Sequence, residues 1–202
     1  MRPEVVAFDL GHVLVGVDFA AAARQIATRS ALPAEQVLRV IQDGPLLMRY
    51  ESGQINRAQF FEAVRELIGY RGSQEEFGRA FTAIFTPIEP MIALHGQLRR
   101  LGVPCFVLSN TNDWAVERIR QQFPFFADFD GYVLSYQHGF MKPDPRLYAV
   151  LEGIVGRPPE CILYIDDRLE NVQAGAARGW QVIHHRSPDE TRRQVQGHGF
   201  PV

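Results

Sequence analysis

The chain has 202 residues, enough for one large domain or for a core carrying a smaller insert. Hydrophobic residues make up 46% of it, which excludes wholesale disorder, and the net charge of −2 gives no electrostatic basis for binding nucleic acid or an anionic membrane. No apolar run approaches the length of a membrane span.

The N-terminus runs almost at once into an apolar segment, without a basic region, a signal core or a small-residue cleavage site. Val5 to Phe8 reads as a buried strand that delivers Asp9 to its end, and Gly11 then permits a tight turn. From about Gly16 to Pro87 the pattern changes and holds no convincing strand. Phe19 to Ala27 and Ala34 to Ile41 are amphipathic. Asn56-Arg57-Ala58-Gln59 and Ser73-Gln74-Glu75-Glu76 read as capping boxes, each followed by aromatic and aliphatic residues at helical spacing. This segment is expected to be a small helical bundle, with the aromatic stripe as its core.

Beyond residue 100, strand and helix alternate. Val103 to Leu108, Gly131 to Ser135, Cys161 to Ile165 and Trp180 to Ile183 are strand-like. Helices are expected over Asp113–Gln122, over Arg146–Ile154, and around Ala174 to Ala177, where small residues allow close packing and Gly179 caps the end. Ser187-Pro188-Asp189-Glu190 starts a last helix, to which only a structural function is assigned. Cys105 and Cys161 lie in apolar runs and read as buried thiols, which suits a reducing, cytoplasmic setting. The fold class is α/β, a Rossmann-like parallel sheet covered on both faces, built from residues 1–15 and 88–202, with a helical cap at 16–87.

Asp9, Ser109, Lys142 and the pair Asp166-Asp167 each end a core strand or lie in the loop after one. Parallel strands present their C-terminal ends at one edge, so these groups are expected to converge. Crowded carboxylates must protonate or hold a cation, and an all-oxygen site with open positions suits Mg²⁺. A cation, a lysine and a hydroxyl together neutralise and orient a phosphate dianion, which Asp9 can attack to give an aspartyl-phosphate.

Four segments in this order resemble the motifs of the haloacid dehalogenase superfamily, in its capped phosphatase branch. They are Phe8-Asp9-Leu10-Gly11-His12-Val13-Leu14, Val107-Leu108-Ser109-Asn110, Gly139-Phe140-Met141-Lys142-Pro143-Asp144, and Ile165-Asp166-Asp167 followed by Asn171. The likeness spans essentially the whole chain, including Tyr50-Glu51-Ser52-Gly53-Gln54-Ile55 in the insert. The Asp-Leu-Gly of the first motif is similar to that of bacterial α-D-glucose-1-phosphate phosphatases. The resemblance implies that Asp9 is the nucleophile and a Mg²⁺ ligand, with the Gly11 carbonyl as a second ligand. It implies that Asp167 binds the metal directly and Asp166 does so directly or through water. Ser109 and the Asn110 backbone would hold the phosphoryl group, Lys142 would pair with nucleophile and phosphate, and the insert would act as a lid.

Most phosphatases of this superfamily carry a second aspartate two residues after the nucleophile, where this chain has Gly11. General acid–base help is worth about 10²–10⁴-fold, so three substitutes are considered. The leaving group is a good one, as in a hexose 1-phosphate; His12 supplies the proton; or solvent or the substrate does. The expectation is a Mg²⁺-dependent phosphatase for a small phosphorylated metabolite, acting as a monomer or weak homodimer. The alternatives are a metal-independent 2-haloacid dehalogenase on the same scaffold and a non-catalytic phosphate-binding module. No role is expected for His184-His185.

Overall fold

The computed structural model describes residues 2–202. Strand β1 (Val5–Phe8) is followed by a short β2 (Val15–Val17) and by helices α1 (Phe19–Ala27), α2 (Ala34–Leu38), α3 (Pro45–Glu51), α4 (Arg57–Ile68) and α5 (Gln74–Thr82). The chain returns through β3 (Phe85–Pro87) and α6 (Glu89–Arg100) to β4 (Cys105–Ser109), α7 (Asp113–Gln122), β5 (Gly131–Leu134) and α8 (Pro145–Val155). It ends with β6 (Ile162–Asp166), α9 (Leu169–Ala177), β7 (Gln181–His184) and α10 (Pro188–Gly197).

Five strands form one parallel sheet in the order β5-β4-β1-β6-β7. Side chains alternate between its faces. Val6, Phe8, Cys105, Val107, Leu163 and Ile165 pack with Met91, Leu94 and Leu98 of α6 and Ile119 of α7. Val5, Ala7, Phe106, Leu108, Ile162 and Tyr164 pack with Leu147, Tyr148 and Leu151 of α8. Both faces are covered, which explains why these strands read as continuous apolar runs. Gly175 lets α9 lie close to the sheet, since a Cβ there would stand 3.1 Å from the Tyr164 ring. Gly179, at φ +89°, turns the chain out of that helix. The chain leaves central β1 for β4 and β5 on one side, and only later builds β6 and β7 on the other. The crevice where strand order reverses therefore opens at the C-terminal ends of β1, β4 and β6.

Helices α1 to α5 enclose a second apolar cluster that includes Ile26, Ile41, Phe60, Val64, Phe77 and Phe81. Both expected capping boxes form: the Asn56 and Ser73 side chains accept from the N–H of Gln59 and Glu76, whose side chains accept in return. Trp114 of α7 also enters this cluster, so the helical bundle is seated on the core by a shared ring.

Three features of the insert differ from the sequence-based expectation. The segment does contain strand: Val15–Val17 pairs antiparallel with Phe85–Pro87 where the chain leaves and rejoins the core. Each is only three residues long, too short for alternation to register, and they are brought together from distant points in the chain. The helix expected over Ala34 to Ile41 is regular only to Leu38 and then widens into a π-helical turn at Arg39–Asp43. The following α3 has no counterpart among the expected helices. At seven residues it shows scarcely two turns of periodicity.

Candidate active site

The crevice at the sheet edge brings Asp9, Ser109, Asn110, Lys142 and Asp167 to the walls of one cavity of about 230 Å³. Asp9 leaves β1 with its N–H bonded to the Ile165 carbonyl at 2.8 Å, and its Oδ1 accepts from the Leu10 N–H at 2.7 Å. Ser109 ends β4 and is buried. The next residue, Asn110, clamps the loop that carries Lys142. Its Oδ1 accepts from the Lys142 N–H at 2.7 Å, and its Nδ2 donates to the Lys142 carbonyl at 3.0 Å. Asn112 also caps α7, accepting from the Ala115 N–H, so one short segment turns the chain and lines the site.

The Lys142 ammonium is the hub of the site. It lies 2.9 Å from Asp9 Oδ1 and donates to Asp166 Oδ2 at 2.6 Å and to the Leu108 carbonyl at 2.8 Å. These three partners use all three of its N–H bonds. Burial alone would lower its pKa, but the facing Asp9 and Asp166 raise it above the usual lysine value, so it stays charged. Asp9 is pushed the other way. Burial, with Asp166 adding repulsion, lifts its carboxyl to about 7 against the opposing pull of Lys142.

Asp166 is fully buried and fully engaged. Its Oδ1 accepts from the Arg168 N–H at 2.8 Å and the Asn171 Nδ2 at 3.1 Å. Its Oδ2 accepts from Lys142 and from the Tyr164 hydroxyl. Burial would raise its pKa, yet Lys142 and these donors together hold it below the ordinary value. Asp167 differs: it is half-buried, and its main-chain carbonyl contacts His184 Nε2 at 2.9 Å while its carboxylate faces the cavity.

Oxygens of Asp9, Asp166 and Asp167 lie within 4.8 Å of one another. Three carboxylates are set against one ammonium in a small, mostly buried volume. The donor set is all oxygen, and Gly11 and Asp167 line the same cavity. Such a set fits a hard divalent cation of the size of Mg²⁺.

The opposite wall comes from the helical insert and its connections. Val17, Phe19, Leu47, Phe81, Ile84 and Phe85 make it largely apolar. The aromatic stripe thus both fills the bundle and, through Phe81, borders the cavity. Glu51, at the end of α3, supplies a carboxylate to this wall. Its carbonyl accepts from Ser135 Oγ on the core at 2.5 Å. Gly53, at φ +69°, lies so close to Tyr136 that a Cβ would stand 2.2 Å from its carbonyl oxygen. Arg57 binds Asp113 and Glu117 at 2.6 and 2.9 Å, and the Tyr50 hydroxyl donates to Asp113. These contacts hold the insert down over the crevice.

Sequence reasoning therefore reached the strand-end residues but passed over Tyr164 and Arg168, and assigned no role to His184 or Glu51. The Tyr164 alternation inside a strand marked it only as core. His184 stands at the end of β7, a signal that position in the strand order could have carried. His12 borders the cavity, yet its side chain is exposed and its backbone sits at φ +56°. Cys105 and Cys161 are buried free thiols. Among the described residues no helix is long and apolar enough to cross a membrane.

Comparison with known proteins bears on the fold and the family. A D-ribitol-5-phosphate phosphatase of Bacteroides thetaiotaomicron is 23% identical over 196 residues, covering 94% of this chain and 95% of that protein. A sesquiterpene phosphatase of Aspergillus oryzae is 30% identical over 138 residues, covering 67% of this chain and 70% of that one. The structure of a HAD family enzyme of Bacteroides thetaiotaomicron, in complex with magnesium and inorganic phosphate, superposes with a TM-score of 0.82 at 22% identity, over 91% of this chain and 94% of the other. The profile of the haloacid dehalogenase-like hydrolases matches residues 3–179, and with the parallel sheet, the capped crevice and the strand-end carboxylates this shows that the chain belongs to that family.

Proposed function

We propose that the protein is a Mg²⁺-dependent phosphatase for a small phosphorylated metabolite, working through an aspartyl-phosphate on Asp9. The observation that carries this reading is the pairing of Asp9 with the Lys142 ammonium beside a cluster of three carboxylates, all at one cavity. When bound by Asp9, Asp167 and the Gly11 carbonyl, Mg²⁺ would neutralise charge on the phosphoryl oxygens. Asp166 is then a positioning residue, because its oxygens already hold Lys142, Tyr164, Asn171 and the Arg168 N–H. Ser109 Oγ, whose contact in the structure is a long one of 3.3 Å to the Asn110 carbonyl, is available to a phosphoryl oxygen. Lys142 has no spare N–H, so it meets the phosphoryl group by exchanging one of its present partners.

A cavity of about 230 Å³ suits a small ester. The hexose 1-phosphate reading draws its support from the leaving-group argument at Gly11. The largely apolar wall of the insert favours an ester with fewer hydroxyls than a hexose. A haloacid dehalogenase reading accounts poorly for the carboxylate cluster, since further negative charge repels an anionic haloacid.

The test is phosphate release from a panel of hexose 1-phosphates, polyol phosphates and simple alkyl phosphates, with Mg²⁺ and with a chelator, using Asp9→Asn as the blank. Release that needs the metal and vanishes in the blank is the expected result. A folded, Mg²⁺-binding protein that hydrolyses none of them would favour the phosphate-binding module.

A further inference from the structure

Phosphoryl transfer from an alkyl ester expels an alkoxide-like oxygen that needs a proton, and the later attack by water needs a base. Two residues beyond Asp9 the chain offers only Gly11. A side chain that does this work has to stand elsewhere on the cavity wall, and in-line attack limits where it stands. Asp9 approaches phosphorus from the sheet edge, so the leaving oxygen points away from the sheet, toward the insert. There the wall is apolar apart from Thr82, whose hydroxyl donates to the Gly78 carbonyl, and Glu51.

We propose that Glu51 is the general acid–base of this site. The inference rests on the phosphatase reading above. As a carboxylate oxygen of Asp9 forms a bond to phosphorus, the bond from phosphorus to the leaving oxygen breaks. Its electron pair stays on that oxygen, which takes the proton of Glu51. The Glu51 carboxylate then removes a proton from the water whose oxygen displaces Asp9 from phosphorus. Inorganic phosphate is released, the Asp9 carboxylate is restored and Glu51 is again protonated.

Three features besides its position support the assignment. The Glu51 carboxylate has no hydrogen bond or ion pair among the described residues, so its proton is not committed to a structural partner. Its backbone is held rigidly through the Ser135 hydroxyl and the close contact of Gly53 with Tyr136. Burial in the seam raises its carboxyl to about 7, against the fields of the facing Arg168 and Lys142, so both protonation states are within reach near neutrality. The Asp9 and Asp167 carboxylates border the same cavity. His12, the other proton carrier on the wall, belongs to the exposed turn after β1.

The experiment compares Glu51→Gln and Glu51→Asp with wild type on two esters. One is an alkyl phosphate from the panel above and the other is p-nitrophenyl phosphate, whose leaving group needs no protonation. Single-turnover release of the alcohol or phenol is measured. Glu51→Gln is expected to lose about 10²–10⁴-fold on the alkyl ester and less than tenfold on the aryl ester, with Glu51→Asp recovering part of the loss. The wild-type alkyl rate is expected to fall as pH rises above about 7, and this limb should be missing in Glu51→Gln. Equal losses on both esters, no loss on either, or a selective alkyl loss in His12→Ala instead would overturn the assignment. Wild type that releases nothing from either ester overturns the phosphatase reading and the assignment with it, a result separable from the others because no variant is needed to see it.

Discussion

Lys142 stands between two carboxylates with all three of its N–H bonds in use, and its side chain is 1% exposed. Removing one partner of such a buried set leaves charge without compensation, and this typically costs about 3–5 kcal/mol. Lys142→Met is therefore expected to unfold at markedly lower urea concentration in the presence of a chelator, by a margin of that order. Tyr164→Phe makes a sharp contrast. It removes one donor from Asp166, which keeps Lys142, Asn171 and the Arg168 N–H. Its cost should be about 1–3 kcal/mol by the same measurement. If the two variants lose the same stability, the ion pairs at Lys142 contribute no more than an ordinary hydrogen bond. Asp9, Ser109 and Asp167 were legible from the sequence because a residue at the end of a parallel strand is placed by local pattern alone, and Lys142 because it lies in the loop that follows one. Tyr164 was not, because its partner Asp166 lies two residues on, and the hydroxyl reaches it only by pointing along the strand end within the core.

The turn from α3 into α4 is the element on which the upper wall of the site depends. Gly53 adopts φ +69°, which side chains rarely accept, and its Cα faces the Tyr136 backbone with no room for a methyl group. Gly53→Ala is expected to cost about 1–3 kcal/mol and to lift the Tyr50–Gly53 turn from the core. Activity should fall with it, since Glu51 ends the same helix and Leu47 lies within it. The check is paired denaturation and turnover measurements, and wild-type values in both would show that the turn is not held as described. This element also marks the boundary of what the sequence discloses. The helices with capping boxes, α4 and α5, were legible from residues within a single turn of each other. Helix α3 and the ribbon of β2 and β3 were not, because each is short and is held by contacts made far away in the chain. The role of Glu51 follows from that docking and so could not be read before it.

At the scale of the molecule, two apolar cores meet along a seam, and the cavity there sets polar groups against a largely apolar wall. A carboxylate held there weakens the fold whenever it is charged. Glu51 has an ordinary value of 4.5 and is raised to about 7 in the folded protein by burial. Between those values the folded state binds more protons than the unfolded state, so stability falls as pH rises through this window and then levels off. Below pH 4.5 the group is protonated in both states and costs nothing. Asp9 contributes a slope of the same sign, so wild type alone cannot isolate Glu51. The difference between wild type and Glu51→Gln does, because the amide never ionises and Asp9 is common to both. With Mg²⁺ chelated, Glu51→Gln is expected to gain about 1–3 kcal/mol over wild type above pH 7, and to lose that advantage toward pH 4.5. Urea denaturation at a series of pH values measures it. A constant difference across the series would mean that the carboxylate reaches solvent and the seam is open, and a variant less stable than wild type at high pH would mean that the charged form has a partner across it. A gain that appears with rising pH, together with the loss of alkyl-ester turnover, would show that the seam holds a destabilising carboxylate at the place where the reaction uses its proton.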